Sequence, residues 1–165
     1  GLVRSHHGKG TLVCAQPGEI DLGSPELRDS FRLYRESLQF LVLTIRPVAR
    51  CALESAAPEA AAELKQRLSC LKEEERCLCL ERVLDFIGVQ CPSMFVRECY
   101  GMVRQLTAWG YPLELQRQKT GADSGGGTAL APAKLLAQRL EEGSAEGFAE
   151  ECERFLRQEE ARYIR

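Results

Sequence analysis

The sequence predicts an all-α fold: an antiparallel helical bundle of four to five helices followed by a helical hairpin. Two observations carry that expectation. Apolar residues recur at alternating steps of three and four over long stretches, which puts them on one face of a helix. Between those stretches stand Ser, Pro and Gly residues in the positions that start and stop helices.

Residues 1–23 are glycine-rich and lack helical periodicity, so an irregular N-terminal arm is expected, with "TLVCA" as a candidate short strand. "GSPEL" opens the first helix: Ser24 as cap, Pro25 at the first helical position, Glu26 near the positive end of the dipole. Leu27, Phe31, Tyr34, Leu38, Leu41 and Ile45 then form one stripe, and Phe40, Val42 and Leu43 add a second apolar face. The spacing therefore predicts a segment, Leu38–Ile45, that is buried all round. Pro47 removes a backbone donor and crowds the carbonyl of Leu43. A kink or break is expected there, with helix resuming to about Ser55.

Pro58 opens the next helix, with Leu64, Leu68 and Leu71 buried and a break near Ser69–Leu71. Cys77, Leu80, Leu84 and Ile87, with a second stripe of Cys79, Val83 and Phe86, predict a heavily buried third helix. Gly88 is read as its left-handed cap. Pro92 or Ser93 starts a fourth helix, whose seam is Phe95, Cys99, Met102, Leu106 and Trp109. Gly110 is expected to cap it and Pro112 to prevent its continuation. The bundle thus spans 24–112. A flexible loop follows over 113–130, and a helical pair over 131–165 is expected to dock on the bundle. In that pair Pro132 starts one helix, Gly143 breaks it and Ser144 caps the next. No internal repeat is evident.

Composition narrows the function. The chain has 165 residues, 44% apolar and 28% charged, with a net charge of −2. Such a balance argues against phosphate-driven nucleic-acid binding. Nothing approaches the roughly 18 consecutive apolar residues of a membrane span, and no signal peptide is visible. Several of the eight cysteines fall on helical apolar stripes, where a free thiol acts as a small hydrophobe. The expectation is a reducing compartment, cytoplasm or nucleus. A chain that opens on Gly1 and closes in a helical pattern at "EEARYIR" reads as a piece of a longer protein.

No chemistry-bearing constellation emerges. There is no CxxC, and Cys77 and Cys79 point to nearly opposite sides of a helix, so no metal site is expected. The two histidines, His6 and His7, are adjacent and stand in the irregular arm, and a phosphate-cradling loop is absent. The sequence therefore predicts neither enzyme nor cofactor. The one polar feature above background is Arg28, Arg32 and Arg35 on one helical face, able to grip an acidic peptide or a phosphate. Glu26, Asp29 and Glu36 offer them intrahelical partners instead. Trp109 and Tyr111, flanking a helix end, complete the candidate partner-binding residues, with core packing as the plainer reading of Trp109. The expected function is a non-catalytic interaction module of an intracellular scaffold or complex subunit that takes a partner helix or acidic peptide in an interhelical groove. A regulatory helical domain of a multidomain protein and a helical lipid or small-ligand carrier are the alternatives.

Overall fold

The computed structural model describes residues 3–6, 10–13, 25–72, 75–120 and 131–163. The body of the protein is all-α. Its helices are α1 (Pro25–Ser55), α2 (Pro58–Ser69), α3 (Arg76–Gln90), α4 (Met94–Thr107), α5 (Gly110–Thr120), α6 (Pro132–Glu141) and α7 (Ala145–Tyr163). Ahead of them stands a two-stranded antiparallel ribbon, β1 (Val3–His6) with β2 (Gly10–Val13), in which Val3 faces Val13 and His6 faces Gly10. The "TLV" of the candidate strand lies in β2. The Ser24 cap and residues 121–130 of the expected loop fall outside the described residues.

α1 is the axis of the fold. Tyr34, Leu38, Leu41, Ile45, Ala49 and Ala52 are all buried, as their spacing requires. Each such leucine or isoleucine contributes roughly 1.5–3 kcal/mol through burial. The expectation of an all-round-buried segment fails at Leu43, which is 82% exposed, while Val42 does enter the core. Of the kink or break expected at Pro47, the break is absent, since α1 runs through it as one helix of 31 residues. Both corrections have one cause. Leu43 and Pro47 share the outward side of α1, where water can take the carbonyl that the proline leaves without a donor.

α7 lies antiparallel along α1 in the most extensive helix pairing of the fold, and α6 packs mainly on α2. α3 and α4 close the remaining side. In the core, Phe86 of α3 meets Phe148 of α7 edge-on, with ring centroids 6.3 Å apart. The Tyr100 hydroxyl of α4 lies 3.0 Å from the Thr44 hydroxyl of α1.

Three helix ends follow their sequence signals. α2 stops at Ser69. The Ser93 hydroxyl accepts the Val96 N–H at the start of α4. Gly143, at φ +68°, ends the turn after α6, and the Ser144 hydroxyl accepts the Gly147 N–H. Two signals mislead. Gly88 is not a cap: α3 continues to Gln90, and among the described residues only Gly143 has a positive φ. Gly110 and Pro112 do not terminate anything. They open α5, where a proline in the first turn sacrifices no hydrogen bond. Residues 113–120, expected in the loop, are therefore helical.

Gly110 serves close packing instead. A Cβ there would lie 2.7 Å from the Tyr34 hydroxyl oxygen and 2.9 Å from Cys77 Sγ. That approach brings α5 onto the start of α3. Glu114 of α5 then accepts the Arg76 and Cys77 N–H groups at 3.0 and 3.3 Å, supplying from another helix the cap that Glu75 does not provide. Burial raises the Glu114 pKa, while these hydrogen bonds pull it back down. Arg76 itself pairs with the buried Glu159 of α7 and lies over the Phe155 ring, 5.2 Å from its centroid.

Candidate interaction surface

α4 carries two apolar rows on different faces. Val96, Tyr100, Val103 and Thr107 form the row that packs inward, with Tyr100 and Thr107 buried. Phe95, Cys99, Met102 and Leu106, expected as the buried seam, form the other. Phe95 is 77% and Met102 63% exposed, and Cys99 and Leu106 are half-buried. The seam is thus inverted. Its polar anchors explain the choice of face: Tyr100 bonds Thr44 of α1, and Arg104 pairs with Glu81 and Asp85 of α3. Turning the helix to bury Phe95 would strip these groups of their partners.

A second exposed apolar row lies on α1. Leu33 is 46% and Phe40 39% exposed, one heptad step apart. The Phe40 ring meets the Tyr100 ring edge-on, with centroids 6.2 Å apart, which sets this row beside α4. Leu33, Phe40, Phe95 and Met102 are thus large apolar side chains left in water, and exposed apolar surface of this kind commonly marks contact sites.

The five residues singled out by sequence lie on α1, in the turn after α4 and on α5. Arg28, Arg32 and Arg35 are exposed along the N-terminal half of α1. Arg32 makes intrahelical pairs with Asp29 at 3.3 Å and Glu36 at 3.9 Å. Trp109 is half-buried against Phe31, edge-on at 6.3 Å. Tyr111 is half-buried too, and its hydroxyl donates to Glu81 of α3 at 2.7 Å. Both aromatics therefore join helices of the body, which is the plainer reading given for Trp109. Sequence reasoning missed the solvent exposure of the Phe95–Leu106 row. It saw the row and took apolarity for burial.

The thiols behave as core groups. Cys77, Cys79, Cys91 and Cys152 are buried and free. Desolvation pushes Cys79 up to about 12 and holds Cys77 and Cys152 well above an ordinary thiol, so all three stay protonated at neutral pH. Among the described residues, no three or more His, Cys, Asp or Glu side chains gather as a metal ion would require, and no helix is long and apolar enough to cross a membrane. No family model, curated protein or solved structure matches the chain.

Proposed function

We propose that this chain is a non-catalytic interaction module of an intracellular scaffold or complex subunit, and that it receives an amphipathic partner helix on the exposed apolar rows of α4 and α1. The observation that supports this reading is the outward row of α4. A helix that packs through its less apolar face and leaves Phe95 and Met102 in water bears a cost that a partner's apolar face would remove. The buried free thiols suit a reducing compartment.

The test is site-specific photo-crosslinking in cells. A photoreactive residue at Met102 is expected to capture a discrete partner through a helical segment. The same residue at Gln105, exposed on the polar side of α4, captures nothing specific. Phe95→Ser should abolish the Met102 crosslink without changing the melting temperature, because exposed substitutions shift stability by about 0.5 kcal/mol or less. Equal crosslinking from both positions, or a crosslink indifferent to Phe95→Ser, would refute the proposal.

A further inference from the structure

α2 and α3 enclose a cleft of about 180 Å³ that neither α1 nor α4 lines. Its apolar wall is Ala60 and Leu64 of α2 with Phe86 and Val89 of α3. Leu64 and Phe86 also belong to the core, whereas Val89 is 69% exposed. Four charged side chains line the cleft as well: Glu63 and Arg67 of α2, Arg82 and Asp85 of α3.

These charges do not cancel within the cleft. Asp85 is committed to Arg104 of α4, and Glu63 pairs with Arg67. Arg82 is half-buried and has neither a hydrogen bond nor an ion pair among the described residues. Other guanidinium groups that lie between helices of the body are matched. Arg46 donates to Glu146 at 2.6 and 2.9 Å and to Glu150 at 2.7 Å, Arg50 donates to Glu146 at 3.3 Å, and Arg76 pairs with Glu159. A half-buried guanidinium has given up part of its hydration, so an anion at its fork gains a charge-assisted bond. Arg67 can add a second donor. Its pair with Glu63 is exposed, at 50% and 60% for the two side chains, and such pairs contribute little.

We propose that the α2–α3 cleft binds a small monocarboxylate with an aromatic or short aliphatic tail, its carboxylate on Arg82 and Arg67 and its tail on Leu64, Phe86 and Val89. Clefts between helices of a bundle, apolar with a few convergent polar groups, are common ligand sites. A cavity of about 150 Å³ holds a benzene ring, so a tail of one ring or about six carbons matches the volume. A monoanion matches the single uncompensated charge. Residues 63–67 and 82–86 lie within helices, where backbone groups are already bonded. Side chains alone therefore make the site, which suits a free acid better than a peptide chain. The cleft stands apart from the α4 row and does not depend on it.

The probe is 3-phenylpropionate, titrated into the isotope-labelled full chain and followed by amide chemical shifts. Its control is 3-phenylpropanamide, which keeps the tail and lacks the charge. The acid should bind saturably with a roughly millimolar Kd, about tenfold more tightly than the amide, and shift the backbone amides of Arg82, Phe86 and Val89. Arg82→Gln removes a side chain without a partner among the described residues, so it should leave the melting temperature unchanged and weaken the acid about tenfold. Val89→Ser, at an exposed position, should weaken acid and amide alike by about threefold. Arg35→Gln on α1 should change neither. Equal affinity for acid and amide overturns the proposal, as does binding of the acid that is indifferent to Arg82→Gln. Inorganic phosphate that binds more tightly than the acid would overturn it in favour of a dianion. N-acetyl-glycyl-phenylalanine that binds more tightly would overturn it in favour of a peptide end.

Discussion

Substituting alanine at three glycines separates packing from capping. At Gly110 the added Cβ would meet the Tyr34 hydroxyl oxygen at 2.7 Å, Tyr34 Cζ at 2.8 Å and Cys77 Sγ at 2.9 Å. Tyr34 and Cys77 are both buried, so neither can swing aside without disturbing α1 or the start of α3. Overpacking of this kind destabilises by about 1–3 kcal/mol. Gly110 is the first residue of α5, so alanine's helix preference returns only a few tenths of a kcal/mol, about a third of its interior value. For a net loss of about 2 kcal/mol in a chain of this size, the melting temperature should fall by roughly 4–8 °C. At Gly101 and Gly88 a Cβ would meet nothing within 4 Å, and both lie inside helices. Alanine there should stabilise by about 0.5–1 kcal/mol. The three variants and the parent are compared by thermal melts at one pH. A further Cys77→Ala/Gly110→Ala double variant should lose less than the sum of its singles, because the sulfur no longer obstructs. A Gly110→Ala protein as stable as the parent would refute the packing argument. A destabilised Gly88→Ala would restore the left-handed cap that the sequence suggests there.

Two other outcomes follow from the same geometry. Pro47→Ala should raise the melting temperature, since a proline inside a helix costs about 3 kcal/mol against alanine and this one is exposed; a fall would mean that the proline shapes α1. The Arg46 and Arg50 contacts, hydrogen bonding ahead of charge, hold the Glu146 pKa below the ordinary carboxylate value. Its contribution is therefore complete above the unfolded-state pKa of about 4.3 and is lost as pH falls through the lower folded-state value. Glu114, whose pKa burial raises, acts in the opposite sense: acidification relieves its buried charge. The stability gap between parent and Arg46→Gln in urea melts should narrow from about pH 6 to about pH 3, and a constant gap would count against the Glu146 contact.

How legible the fold was depends on how many faces of a helix were apolar. α1 declared its buried side because one stripe ran unbroken from Phe31 to Ala52. α3 declared two stripes and both are buried. α4 offered two rows as well, but only one could pack, and the choice fell to Tyr100 and Arg104. Their partners, Thr44, Glu81 and Asp85, are distant in sequence, so no local pattern reveals it. Gly110 and Pro112 misled for a related reason. A glycine that permits close approach and a glycine that ends a helix look alike until the facing tyrosine is in place. Of the candidate site, the arginine row was readable from spacing alone. That the same face holds an acidic helix about three turns on, at Arg46, was not, because α7 lies a hundred residues away.

That separation has a consequence during synthesis. A ribosome adds about 5–20 residues per second, so roughly 5–20 seconds pass between the emergence of Arg46 and that of Glu146, which are 100 positions apart. Through that interval the nascent α1 has its Leu38, Leu41 and Ile45 row but not the helix that covers it most. That cover forms only when α7 arrives, a long-range step exposed to aggregation. Chaperone holdases that recognise apolar helices should therefore engage this chain from the emergence of α1 until that of α7. Stop codons or ribosome stalls before Ala145 should yield products that are degraded rather than partly functional.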